Sequence, residues 1–123
     1  GSFQEGLSRT GGGLMSNVRL SRFDHGILCI EATDKTSPTI LNRLNEKGLG
    51  MAIFGEDVEM PIIVVDHRKG LTPDQLLAVE AHEVGHVLSG STDEPTAELH
   101  GIAILRLAGH HAAAELLLNR GII

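Results

Sequence analysis

Two histidines four residues apart can serve one metal ion only if the chain between them is helical, and His82-Glu83-Val84-Gly85-His86 has that spacing. On a helix the two imidazoles share a face, about 40° apart around the axis and about 6 Å apart along it. Glu83 between them then stands beside any water on an open coordination position. The flanking residues agree with a helix. Thr72-Pro73 reads as N-cap and first helical residue, with Gln75 at capping-box spacing from Thr72. Leu77, Ala81, Val84 and Leu88 recur as the core stripe of an amphipathic helix. That stripe centres about 150° from the histidine edge, so the imidazoles are expected to face a cleft. Gly85 costs about 1 kcal/mol of helix propensity relative to alanine, which points to close packing at that position. Ser89-Gly90-Ser91 ends the helix with turn chemistry.

Strand signals precede this helix and helix signals follow it. Short apolar runs at residues 26–31 and 51–54 read as strands. The clearest strand is 61–66, β-branched and bounded by Pro61 and by His67-Arg68-Lys69-Gly70. A helix is expected over 39–49, started by Ser37-Pro38 and stopped by Gly48 or Gly50. Two more are expected over 93–108 and 110–120, and the acidic turn at Glu56, Asp57 and Glu59 reads as a solvated loop. The fold class expected is α+β, with a small sheet of about three strands. Residues 1–14 resemble a tag and linker, with Gly1-Ser2 and Arg9-Thr10-Gly11-Gly12-Gly13, leaving 15–123 as one domain.

The charge balance excludes some classes of function. A net charge of −6 argues against nucleic acid or an anionic membrane as partner, since both need clustered lysine and arginine. Cys29 stands alone, so no internal disulfide forms and a reducing compartment is expected. No apolar run approaches membrane-spanning length and no signal-peptide pattern appears, which together suggest a cytoplasmic protein.

A catalytic zinc needs a third protein ligand and one open position. The metzincin pattern places glycine at 89 and a ligand at 92, where this chain has Ser89 and Thr92, so that class fails. The next helix opens with Glu94, and Glu98 follows one turn later. A short connection makes the two helices antiparallel neighbours, so carboxylates in these first turns return over His82 and His86. Geometry alone leaves Glu94 and Glu98 both open as the third ligand. The bland reading of both is a pair of surface glutamates favoured by a helix N-terminus.

On these residues the chain resembles a gluzincin-like zincin metallopeptidase, closest to the small ImmA/IrrE-type proteins. These pair a helix written roughly H-E-L-G-H-x-L-L with a later E-x-x-A-N-x-F-A-x-x-L-L. Residues 79–88 are similar to the first motif and residues 94–105 approximate the second. The resemblance implies a zincin-like fold with a twisted sheet, an active-site helix and a C-terminal helical part. It implies that His82, His86 and Glu94 hold zinc, that Glu83 is the general base, and that Glu98 supports a ligand histidine. It also implies that strand 62–65 is a sheet edge over the cleft, to which an extended peptide adds as a further strand.

The activity so implied is hydrolysis of a peptide or protein by a zinc-activated water, with Glu83 moving the proton. Many such enzymes use tyrosine or histidine to stabilise the oxyanion. This chain has no tyrosine, so His100, His110 or His111 is the candidate donor. Two other readings compete. One is an amidase of peptide-deformylase logic with Cys29 as the upstream ligand. The other is a zinc-stabilised regulatory or binding module with little hydrolysis.

Overall fold

The computed structural model describes residues 17–119. The leader expected over residues 1–14 and the expected last residue of the final helix, Arg120, lie outside the described residues. The elements run β1 (Val18–Leu20), β2 (Leu28–Ala32), α1 (Pro38–Lys47), β3 (Gly50–Ile53), β4 (Ile62–Asp66), α2 (Pro73–Ser89), α3 (Glu94–Leu107) and α4 (His111–Leu118). This is an α+β arrangement with one four-stranded mixed sheet among the described residues.

The strand order is β1-β2-β4-β3. β2 and β4 pair in parallel, from Leu28 opposite Ile62 to Ala32 opposite Asp66. Parallel pairing requires a crossover, and the chain between them, containing α1 and β3, supplies it. β3 then returns antiparallel to β4, with Met51 opposite Val64. Strand 62–65 is therefore an interior strand, which corrects the expectation that it forms the sheet edge. Its sequence is consistent with that: Ile63, Val64 and Val65 are fully buried, as in a strand covered on both faces. The edge on this side of the sheet is β3. β1 was not expected, because three residues with Arg19 in the middle show no strand period. It exists by pairing Val18–Leu20 with β2.

Alternation along the strands assigns one helix layer to each face. Cys29, Ile63 and Val65 point to α2 and pack with Val79 and Val84. Ala32, Met51 and Val64 point the other way and pack with Leu44 of α1. On its far side α2 meets α3 and α4, where Ala78 and Ala81 pack with Ile102, Leu105, Ala113, Ala114 and Leu117. Every residue from Ala78 to His86 is buried. The single core stripe read from the sequence is thus too simple. Ala81 and Val84 face different layers, and Leu88 at the end of the helix is 51% exposed. A helix packed on two sides has no one apolar face.

The ends of α2 follow the sequence. Thr72 and Gln75 form the reciprocal capping box, with the Gln75 N–H donating to Thr72 Oγ1 and the Thr72 N–H donating to Gln75 Oε1. Gly90 ends the helix at φ 66°, a left-handed conformation that glycine adopts without a Cβ clash. Gly85 provides the close approach expected of it. A Cβ there would run into the Ala97 carbonyl oxygen of α3, and one on Gly101 of α3 would come within a looser 3.1 Å of the Ala81 carbonyl oxygen.

A buried ion pair ties the far face of the sheet together. Asp66 is fully buried and accepts from the Arg68 backbone N–H and, at 3.0 Å, from its guanidinium, which also donates to Asn45 on α1. Burial opposes ionisation of Asp66, but its bonds from Arg68 outweigh burial and hold the carboxyl below its ordinary range. A depressed carboxylate stabilises the fold above its unfolded pKa, and that contribution is lost as pH falls toward its folded value. Asp66→Asn should therefore cost about 1–3 kcal/mol near neutrality and show a flatter loss of stability below about pH 4. Urea midpoints measured from pH 3 to 7 check this. An acid limb as steep as the parent's would remove Asp66 as its source.

Candidate metal centre

The central helix α2 carries His82 and His86 on one side, both buried at 7% exposure. Their rings lie 5.0 Å apart and nearly perpendicular. Because α2 stops at Ser89 and α3 begins at Glu94, only a short turn separates the helices. Asp93 caps α3 by accepting from the Thr96 N–H, and Glu94 follows in its first turn. That start swings the Glu94 carboxylate across both imidazoles. His82 Nε2 lies 3.1 Å from Glu94 Oε2, and His86 Nε2 lies 2.7 Å from Glu94 Oε1. One ligand atom from each of the three residues falls within 4.8 Å of the others.

The hydrogen bonds say which face of each ring is available. His86 Nδ1 lies 2.8 Å from the Ser91 carbonyl oxygen, which can only accept, so Nδ1 carries the hydrogen. In the neutral ring Nε2 then presents a lone pair, and it points at a carboxylate oxygen. Two acceptors at that distance need a proton or a cation between them. Two imidazole nitrogens and a carboxylate are a donor set suited to a divalent metal, and the Ser91 carbonyl is the outer partner a ligand histidine normally has. The residues fit a metal ion.

Glu83 sits one residue after His82 and is equally buried. Burial and the neighbouring Glu94 charge push its carboxyl up to about 8, and Lys47 acts in the opposite direction. A cation held by His82, His86 and Glu94 would offset both causes. The carboxylate faces Gly50 on the edge strand, where an added Cβ would come within 2.9 Å of Glu83 Oε2. Around this group opens a cavity of about 400 Å³, lined by His82, Glu83, His86 and Glu94 on the helical side and by β3 on the other. Phe54, just beyond β3, stacks on His86 with ring centroids 6.5 Å apart.

Comparison with protein-family models, curated proteins and solved structures returned no match.

The other residues singled out from the sequence lie elsewhere. Glu98 is half-buried, and its Oε1 is buried with no hydrogen-bond partner among the described residues. It bonds neither imidazole: His86 Nδ1 is taken by Ser91, and His82 Nδ1 is buried without a partner among the described residues. His100 is exposed and lies 3.0 Å from the Thr96 carbonyl of its own helix. His110 is the N-cap residue of α4 and packs edge-on against Phe23, while His111 is exposed. None of these three lines the cavity. Cys29 is buried in β2 within the sheet core, and burial pushes its thiol up to about 12. It is not among the three residues whose donor atoms converge. No helix among the described residues is long and apolar enough to cross a membrane.

Sequence reasoning missed Glu80, a buried carboxylate two positions before His82. It accepts from both nitrogens of the Arg19 fork, from Ser21 Oγ at 2.8 Å, and from the Arg22 backbone and side chain. These bonds fasten the strand β1 and the loop after it to the helix that carries His82 and His86. The available signal was a charged residue inside the otherwise apolar run Leu76–Ala81, since buried charges require partners. Lys47, Phe54 and Ser91 were also missed. No local pattern marks them, because only the fold brings them to the site.

Proposed function

We propose that this protein is a zinc-dependent metallopeptidase with a zincin-like fold, in which His82, His86 and Glu94 hold the metal and Glu83 is the general base. The observation that carries this reading is the His86 Nε2 lone pair facing a Glu94 oxygen at 2.7 Å, with its Nδ1 hydrogen committed to Ser91. Zinc, when bound, supplies Lewis-acid polarisation of the scissile carbonyl and of the attacking water. Glu83 accepts the proton from that water and delivers it to the departing amine nitrogen. Its carboxylate is suited to this, because it lines the same cavity as His82, His86 and Glu94. The substrate is a peptide or protein segment. It pairs along the edge of β3, which among the described residues pairs only with β4 and lies on the cavity wall. The lone buried Cys29 fits a protein working in the reducing cytoplasm.

A metal-stabilised module without hydrolysis is the second reading, favoured by the placement of His100, His110 and His111 away from the cavity. Digestion of a broad peptide library with zinc-loaded and chelated protein separates the two. Cleavage that disappears on chelation supports the peptidase, and no cleavage under either condition supports the module.

The ligand set has its own test. Glu94→Ala should abolish tight zinc binding, whereas Glu98→Ala should change it by less than about 10-fold, because the Glu98 carboxylate bonds neither imidazole and so lacks the outer support of a ligand that the resemblance implied. Zinc competition titrations on both variants give the ranking. The reverse order would make Glu98 the ligand.

A further inference from the structure

The positively charged side chain nearest to explanation by the site, yet unused by it, is Lys47. Arg19 and Arg22 are paired with Glu80, and Arg68 with Asp66. Lys47 has no salt bridge among the described residues, although the chain carries a net charge of −6. It is the last residue of α1, and with Leu49 and Gly50 it forms part of the cavity wall. Its charge is close enough to Glu83 to favour the ionised carboxylate. A lysine in the last turn also suits the helix dipole, but that role does not require it to border a cavity.

Among the described residues, Lys47 is the one lysine or arginine on the wall of the cavity that holds His82, Glu83, His86 and Glu94. The remaining wall is largely apolar, with Leu49, Met51, Phe54, Val79 and Leu117. A ligand that enters meets hydrocarbon surface and one mobile ammonium on a long stem. Hydrogen-bond acceptors bearing negative charge answer that combination best.

We propose that Lys47 is a specificity-determining residue of this cavity and binds a carboxylate of the peptide, either an acidic side chain beside the cleaved bond or the C-terminal carboxylate. The inference rests on the metallopeptidase reading for its substrate class, but binding tests it independently of hydrolysis.

Three matched fluorescent hexapeptides of leucine and alanine serve as probes: one neutral with an amidated C-terminus, one amidated with a single central glutamate, and one with a free C-terminus. Their affinities are measured by anisotropy on zinc-loaded Glu83→Gln protein, with and without Lys47→Gln, and cleavage is measured on the Glu83 protein. At least one carboxylate peptide should bind about 5–10-fold tighter than the neutral one, and the arm that does so identifies which carboxylate is read. Lys47→Gln should erase that preference, and Lys47→Arg should keep most of it. No preference with Lys47 present, a preference that survives Lys47→Gln, or no binding by any peptide overturns the proposal. A Lys47-dependent preference without cleavage by the Glu83 protein sinks the peptidase reading and leaves Lys47 as a carboxylate binder. Cleavage with no charge preference does the opposite.

Discussion

Glu83→Gln is expected to keep zinc and fold while losing peptide hydrolysis by about 10²–10⁴-fold, the usual contribution of a positioned general base. The substitution keeps the shape of the side chain and removes the ability to accept and carry a proton. Retention of zinc follows from the ligand set, since Glu83 is not among the three residues whose donor atoms converge. Retention of fold follows from the surroundings. Glu83 lies beside Gly50 in a buried position where burial already opposes its charge, so a neutral amide is tolerated there. The melting temperature of the metal-free variant should accordingly not fall. Metal content, melting temperature and kcat/KM on one cleaved peptide are the measurements. Hydrolysis at the parental rate with zinc retained would remove Glu83 from the mechanism.

Gly85→Ala is expected to destabilise the protein by about 1–3 kcal/mol or more, against the ordinary rule for helices. On an isolated helix the same change would stabilise by about 1 kcal/mol, because alanine is the better helix former. Packing decides the sign here. The new methyl would collide with the Ala97 carbonyl oxygen and lie 3.2 Å from His100 Cβ, so the obstacle is α3 backbone rather than the tip of a flexible side chain. Relief requires α3 to move away from α2. Glu94 stands at the start of α3, three residues before Ala97, so that movement would also draw the carboxylate off His82 and His86. Weakened zinc affinity should therefore accompany the loss of stability. Urea denaturation with a parallel zinc titration reads both quantities. A variant as stable as the parent, with unchanged zinc affinity, would show that the helix contact yields freely and does not hold the site.

The site was legible in the sequence where its geometry is local. The spacing of His82 and His86 becomes a shared face as soon as the segment is helical, and the capping box at Thr72 and Gln75 sets the start of that helix. Glu94 was harder. Its placement depends on where α2 ends, and the stop at Ser89 followed by the left-handed Gly90 brings the Glu94 carboxylate, rather than that of Glu98, onto both rings. The sheet shows the opposite case. Residues 62–65 read clearly as a strand, but strand order depends on pairing between distant segments, which no local pattern encodes.

The sequence by itself determined the central helix with its two histidines and glutamate, the requirement for close packing at Gly85, and the clearest strands. These follow from backbone preferences and periodicities spanning a few residues, which act wherever the segment lies. Only the tertiary structure decided that β3 is the edge beside the cavity, that α2 is buried on two sides, and that Glu80 anchors β1 to it. It also decided that Ser91 holds His86 and that Lys47 and Phe54 border the cavity. Each of these is a contact between segments far apart in the chain or across a turn whose direction is set by packing. Such contacts form because the whole core must close with its buried polar groups paired, a condition that no single segment carries.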